Sequence, residues 1–195
     1  GPWIYSSIVS SDSSSREDAG PDGVREAALY QGRAGSVKQG RDVGHSLRSF
    51  RLVGRLGEAA GIEALLAAQG SVCEPEPFWP LARRLLSGPG ALGGALAARF
   101  GRIYIQDRSS MLPPLLLDPP PGATVLDMCA SPGSKTGLLS HLVGPAGFVL
   151  AVEASADRLG TLRANLRRTQ AANAATAGLS SERLPLAPGS FDYVL

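Results

Sequence analysis

From Thr124 to the last residue, the chain alternates short apolar runs with amphipathic stretches. "TVLDM" reads as a buried strand behind the turn "DPPPG", and "SKTGLLSHLVG" as a helix with Leu138, Leu139, Leu142 and Val143 on one face. "FVLAVE" is a second apolar strand. "SADRLGTLRANLRRTQ" is a second helix, with Ser155 as its N-cap and Leu159, Leu162 and Leu166 along its apolar stripe. A weaker strand is expected near "ATAGL" and a clear one in "FDYVL". Strands alternating with helices predict an α/β fold, a parallel sheet with helices on its faces. Continuous apolar strands fit burial on both sides of that sheet.

Upstream the pattern is weaker. "SFRLVG" alternates as a strand should, and "GEAAGIEALLAAQG" places Ala60, Ile62, Leu65 and Leu66 at helical spacing, with Gly70 to end the helix. "EPEPFWP" and "SGPGALGG" read as turn-rich punctuation in a looser segment. Residues 46–105 are therefore expected to form a small α+β module. Residues 1–45, with "SSIVSSDSSSREDAGPDG", are rich in serine, charge and turn formers without a sustained period. They are expected to be disordered apart from a short helix around "VREAALYQ". No internal repeat is present.

Composition narrows the function classes. A hydrophobic fraction of 44% supports a buried core, and a net charge of only +2 excludes a strongly basic, tail-like binder. Nineteen basic residues include just two lysines, Lys38 and Lys135, an arginine bias that genome composition explains as readily as phosphate recognition does. Two cysteines, Cys73 and Cys129, are too few for a disulfide framework, so a reducing cytoplasm is expected. The most apolar stretch, "MLPPLLL", is far short of the roughly 20 residues a membrane helix needs. His45 and His141 have no partner spacing, so no metal site is expected. The glycine start and the uncapped apolar end suggest a piece of a longer chain.

The stretch "LDMCASPGSKT" lies between the first strand and its helix, where open α/β sheets bind ligands. A Walker A loop requires G-x-x-x-x-G-K-[ST]. Counting back from Lys135, the two glycine positions hold Ser134 and Cys129. A dinucleotide loop requires three glycines, and only Gly133 is present. S-adenosylmethionine has no phosphate, so one glycine for close backbone approach can suffice. An acid at the end of the second strand would then take the ribose hydroxyls. Glu153 stands there, about 26 residues after Asp127, against about 20 in the dinucleotide fold. Lys135 in the first helical turn opposes the helix dipole and so points to a ligand or partner carboxylate.

"VLDMCASPGSKT" closely resembles motif I of the RsmB/RsmF/Nop/Sun family of RNA cytosine-C5 methyltransferases. "AVEASADRLGTLRANLRR" is similar to that family's second motif, and "YIQDRSSMLPPLLLDPPPG" to the segment leading into motif I. The likeness runs from about Phe50 to Leu195 and is nearest the bacterial RsmF branch.

The resemblance implies a class I, Rossmann-like methyltransferase sheet, cut after its fourth strand, in residues 106–195. It makes residues 46–105 a small RNA-binding module. It also implies S-adenosylmethionine as cofactor, held by Cys129, Ala130, Ser131, Pro132, Gly133, Ser134 and Lys135, with Glu153 on the ribose. Arg158 matches a family arginine. Ser180 stands where the family often has an acid near the adenine. The implied partner is ribosomal or transfer RNA, contacted by arginines such as Arg83, Arg84, Arg99 and Arg102, with no membrane or metal and a monomeric state. In the family, one cysteine attacks C6 of cytosine and another helps release the adduct. The Asp-x-Pro-Cys and Thr-Cys motifs that carry them are not in this chain, so no catalytic residue is assigned and the chain alone is expected to be inactive. The alternative is a non-catalytic RNA-binding protein built on a methyltransferase remnant.

Overall fold

The computed structural model describes residues 48–195. The expected disorder of residues 1–45, with the helix around "VREAALYQ", lies outside them. Two four-stranded sheets follow one another along the described chain.

The first sheet is antiparallel throughout, in the order β2-β3-β1-β4. Its strands are β1 (Ser49–Leu52), β2 (Val72–Pro75), β3 (Ala82–Ser87) and β4 (Ile103–Ile105). Helix α1 (Ala59–Ala68) and the short α2 (Leu96–Arg99) pack on one face. There Phe50, Leu52, Ile62, Leu66 and Ile103 form a core. Residues of opposite parity, Arg51, Ala82 and Tyr104, stand side by side in register on the other face. All four residues of β1 are buried, because that second face is covered too. Ala82 there shares a core with Met111 and Leu138 from the second half of the chain.

The strand at Ser49 and the helix before Gly70 form as the sequence predicts, with Ala59 rather than Ala60 turned inward. Gly70 ends the helix at φ 77°. The looser segment resolves into β2 and β3, which the sequence pattern does not announce.

Helix α3 (Arg108–Leu117) joins the halves, despite carrying Pro113 and Pro114 in its interior. The second sheet is parallel: β5 (Thr124–Asp127), β6 (Phe148–Val152), β7 (Ala174–Ala177) and β8 (Tyr193–Val194). Helices α4 (Ser134–Val143) and α5 (Ala156–Arg168) alternate with the strands, as predicted. Leu159, Leu162 and Leu166 are all buried, and the Ser155 hydroxyl accepts from the Arg158 amide at 3.4 Å. The order β7-β6-β5-β8 makes β5 the strand from which the chain departs in both directions. In a doubly wound sheet, the crevice beyond the carboxyl end of that strand is the ligand position.

Candidate functional site

The crevice is built from the loop Met128–Gly133 that leaves β5. Asp127, 2% exposed, closes the strand, and its Oδ2 accepts from the Thr136 hydroxyl at 2.7 Å. Burial pushes its carboxyl above the usual carboxylate range, against the Thr136 hydroxyl, the Cys129 amide and the nearby Lys135 ammonium. Lys135 thus has the carboxylate neighbour that its place in the first helical turn calls for.

The loop is pinned to the sheet on both sides. The Met128 amide donates to the Leu195 carbonyl at 2.9 Å and the Ala130 amide to the Val152 carbonyl at 3.0 Å. Gly133, the N-cap of α4, has φ 100°, and a methyl there would approach Leu162 Cδ1 to 3.0 Å. A glycine satisfies both constraints at once. It contributes no capping side chain, so the first amides of α4 are left for a ligand.

Glu153 follows β6 and is 6% exposed. Its Oε1 accepts from the Ser155 amide at 3.0 Å, and its Oε2 lies 3.2 Å from the Arg158 guanidinium. Arg158 also donates to the Ser131 carbonyl at 3.4 Å, and the Ser131 hydroxyl donates to the Arg158 carbonyl at 2.9 Å. Arg158, which by its helix position alone could have been a solvated residue, therefore ties the acid to the loop. Two further ties had no sequence signal. The Pro132 carbonyl accepts from Asn165 Nδ2 at 2.8 Å and from the Tyr104 hydroxyl at 3.2 Å. A backbone acceptor leaves no mark on residue type.

Of the predicted loop residues, Ala130 and Gly133 are buried, Ser131, Ser134 and Lys135 are half-buried, and Cys129 and Pro132 are exposed. Ser180 is exposed, and its hydroxyl accepts from the Glu182 amide at 3.4 Å. The arginines assigned to RNA divide. Arg83 is buried and donates to Glu63 and to the Pro80 and Ala82 carbonyls, so its expected phosphate contact is corrected to an internal brace. Arg84 pairs with Glu74, and Arg102 with Glu58 at 3.0 Å, while Arg99 is exposed.

Residues 114–195 match the model of the family described as 16S rRNA methyltransferase RsmB/F. The matched segment begins inside α3 and runs through the whole parallel sheet. A mouse 28S rRNA (cytosine-C(5))-methyltransferase is 38% identical over 95 residues, 49% of this chain and 12% of its own. The ribosomal RNA small subunit methyltransferase F of Shewanella amazonensis is 37% identical over 117 residues, 58% of this chain and 25% of its own. The chain thus spans a quarter or less of these relatives' length. A solved methyltransferase homolog from Pyrococcus horikoshii superposes with TM-score 0.61 at 33% identity, covering 69% of this chain and 44% of that one. NSun6 from the same organism shares the fold, with TM-score 0.67 at 15% identity over 75% of this chain and 61% of its own. The parallel sheet, in the order β7-β6-β5-β8, has the class I methyltransferase fold.

The site residues fit S-adenosylmethionine: a positive-φ glycine at an uncapped helix start, small residues along the loop, and a buried acid at the end of the next strand. Among the described residues, no helix is long and apolar enough to cross a membrane.

Proposed function

We propose that this chain is the cofactor-holding part of an S-adenosylmethionine-dependent methyltransferase acting on C5 of a cytosine in ribosomal or transfer RNA. The uncapped start of α4 behind Gly133, with the buried Glu153 at the end of the next strand, carries the reading. When bound, the cofactor supplies a methyl group on a sulfonium, electrophilic enough for an activated cytosine. The chain's residues bind and orient. Amides at the start of α4 receive the carboxylate of the amino-acid tail. Glu153, held by Ser155 and Arg158, presents its carboxylate to the ribose hydroxyls. The remaining loop residues, Cys129 to Lys135, line the path between these two points.

Neither cysteine is placed as an attacking thiolate. Cys73 is half-buried in β2, where burial and the nearby Glu63 push its thiol up. Cys129 is exposed but belongs to the cofactor loop. Residues 46–105 are proposed as the RNA-binding module, with exposed Arg99 a candidate phosphate contact and residues 106–195 as the first half of the methyltransferase domain. On this reading the protein works in the cytoplasm as a monomer, without a metal ion.

Calorimetric titration with S-adenosylhomocysteine tests the site. The 195-residue chain is expected to bind it, and Gly133→Ala or Glu153→Gln to weaken binding roughly tenfold or more, one factor of ten being about 1.4 kcal/mol. Binding unaffected by both substitutions would sink the assignment. The same chain is expected to give no methyl transfer to RNA by itself.

A further inference from the structure

The opposite end of the parallel sheet carries a second concavity. A cavity of about 680 Å³ is bounded by β1, the carboxyl end of α4 and the turns that lead into β6 and β7. The parallel strands put those turns at their amino ends, whereas the cofactor loop lies at their carboxyl ends. Its polar lining includes Arg51, Arg55, Arg102, His141, Gln170 and Asn173.

Arg51 decides what the cavity is for. It is 2% exposed, and its guanidinium carbon lies 5.1 Å from the centre of the Tyr104 ring. Its Nε and one terminal nitrogen have no hydrogen-bond partner among the described residues. Among the described residues, Arg83, Arg84, Arg102, Arg108 and Arg158 each reach a carboxylate, and Arg51 does not. Burial lowers its pKa to about 10, which still leaves it charged at neutral pH. Buried charges are almost always paired and buried donors almost always bonded, so an unpartnered guanidinium at the edge of a cavity suits an anionic ligand. The fold also makes room for the guanidinium itself. A methyl on Gly137 of α4 would collide with the Arg51 terminal nitrogen. At the rim, Glu58 is already engaged by the Arg102 guanidinium at 3.0 Å and the Arg55 amide at 3.1 Å. The Arg55 side chain is left to add a second positive charge to the lining.

We propose that this cavity is an oxyanion site in which Arg51 receives a phosphate group, with Arg55 as the second cation. The planar guanidinium fork matches the phosphate oxygens, and two arginines suit a dianion. The phosphate is either a free ester or part of an RNA backbone, and the chemistry at Arg51 is the same for both. The site is independent of the cofactor crevice.

Titration of inorganic phosphate into the 195-residue chain tests it. Saturable binding is expected, weakened about tenfold or more in Arg51→Met, as befits loss of a charge-assisted bidentate pair. Arg163→Ala, which removes an exposed arginine outside the cavity, is expected to leave the affinity unchanged. Absence of saturable binding, or equal affinity in Arg51→Met, overturns the proposal. Should Arg51→Met fail to fold, the parent protein still decides. Its Arg51 Nε–H resonance must shift as phosphate saturates, and a stationary signal overturns the site. Competition with a short single-stranded RNA then assigns the source. Displacement of phosphate points to an RNA backbone, and failure to displace it to a free phosphate ester; both outcomes uphold the site.

Discussion

The two sheets use polar residues in opposite ways. In the antiparallel sheet, charge is buried along the strands: Arg51 and Arg83 sit inside, as do Ser49 and, just beyond the strands, Glu76 and Gln106. In the parallel sheet the strand interiors are apolar, and the buried acids Asp127 and Glu153 appear only where strands end at the crevice. The parallel sheet keeps its chemistry at one rim. The antiparallel sheet spends its polar groups on fastening: Glu76 to Arg108, Tyr104 to the Pro132 carbonyl, and Arg168 from α5 to the Ala98 carbonyl at 2.7 Å. Its polar interior is an interface, and the loop after β5 is one of the things it fastens.

The contrast breaks most severely at Gly101. This residue has φ 69°, and a methyl there would overlap the Arg168 carbonyl. Gly101→Ala should therefore pry the sheets apart, at a cost of roughly 3 kcal/mol, the upper end of ordinary single substitutions. Chemical denaturation that shows less than a third of that loss would mean that the halves are not close-packed there. Tyr104→Phe isolates one tie. Losing the hydroxyl donor to Pro132 should cost about 1 kcal/mol, and should weaken S-adenosylhomocysteine binding while leaving both cores intact. A full stability loss with unchanged cofactor affinity would make Tyr104 a packing residue only.

The smallest effect is a pH dependence. The Asp127 carboxyl is raised by burial, so the folded chain holds its proton to higher pH than the unfolded chain does. That contribution to stability is full below the ordinary value of 3.8 and is lost as pH rises through the folded value. Asp127→Asn should flatten the stability profile just above that ordinary value, and an unchanged profile would place the titration elsewhere.

What the sequence discloses follows the same division. "TVLD", "FVLAV" and the leucines of α5 announce themselves because both strand faces or one helix stripe are apolar. The place of the loop between them is legible because a strand ends at Asp127 and a helix starts behind a single glycine. Strand β3 is hidden because "ARRLLS" buries an arginine whose partners are Glu63 and two carbonyls. Helix α3 is hidden by its paired prolines, which read as breakers although ten residues remain helical around them. Tyr104 and Asn165 escape for a third reason. Their shared partner is the carbonyl of Pro132, and residue identity says nothing about which carbonyls lack donors.

That carbonyl also limits how the architecture can be rearranged. Its two donors come from different halves, one from β4 and one from α5. A lineage that replaced the antiparallel sheet would keep the Asn165 bond but lose the phenol. It would inherit a loop tuned to a neighbour no longer there, so on the proposed function substrate recognition and cofactor affinity would have to change together.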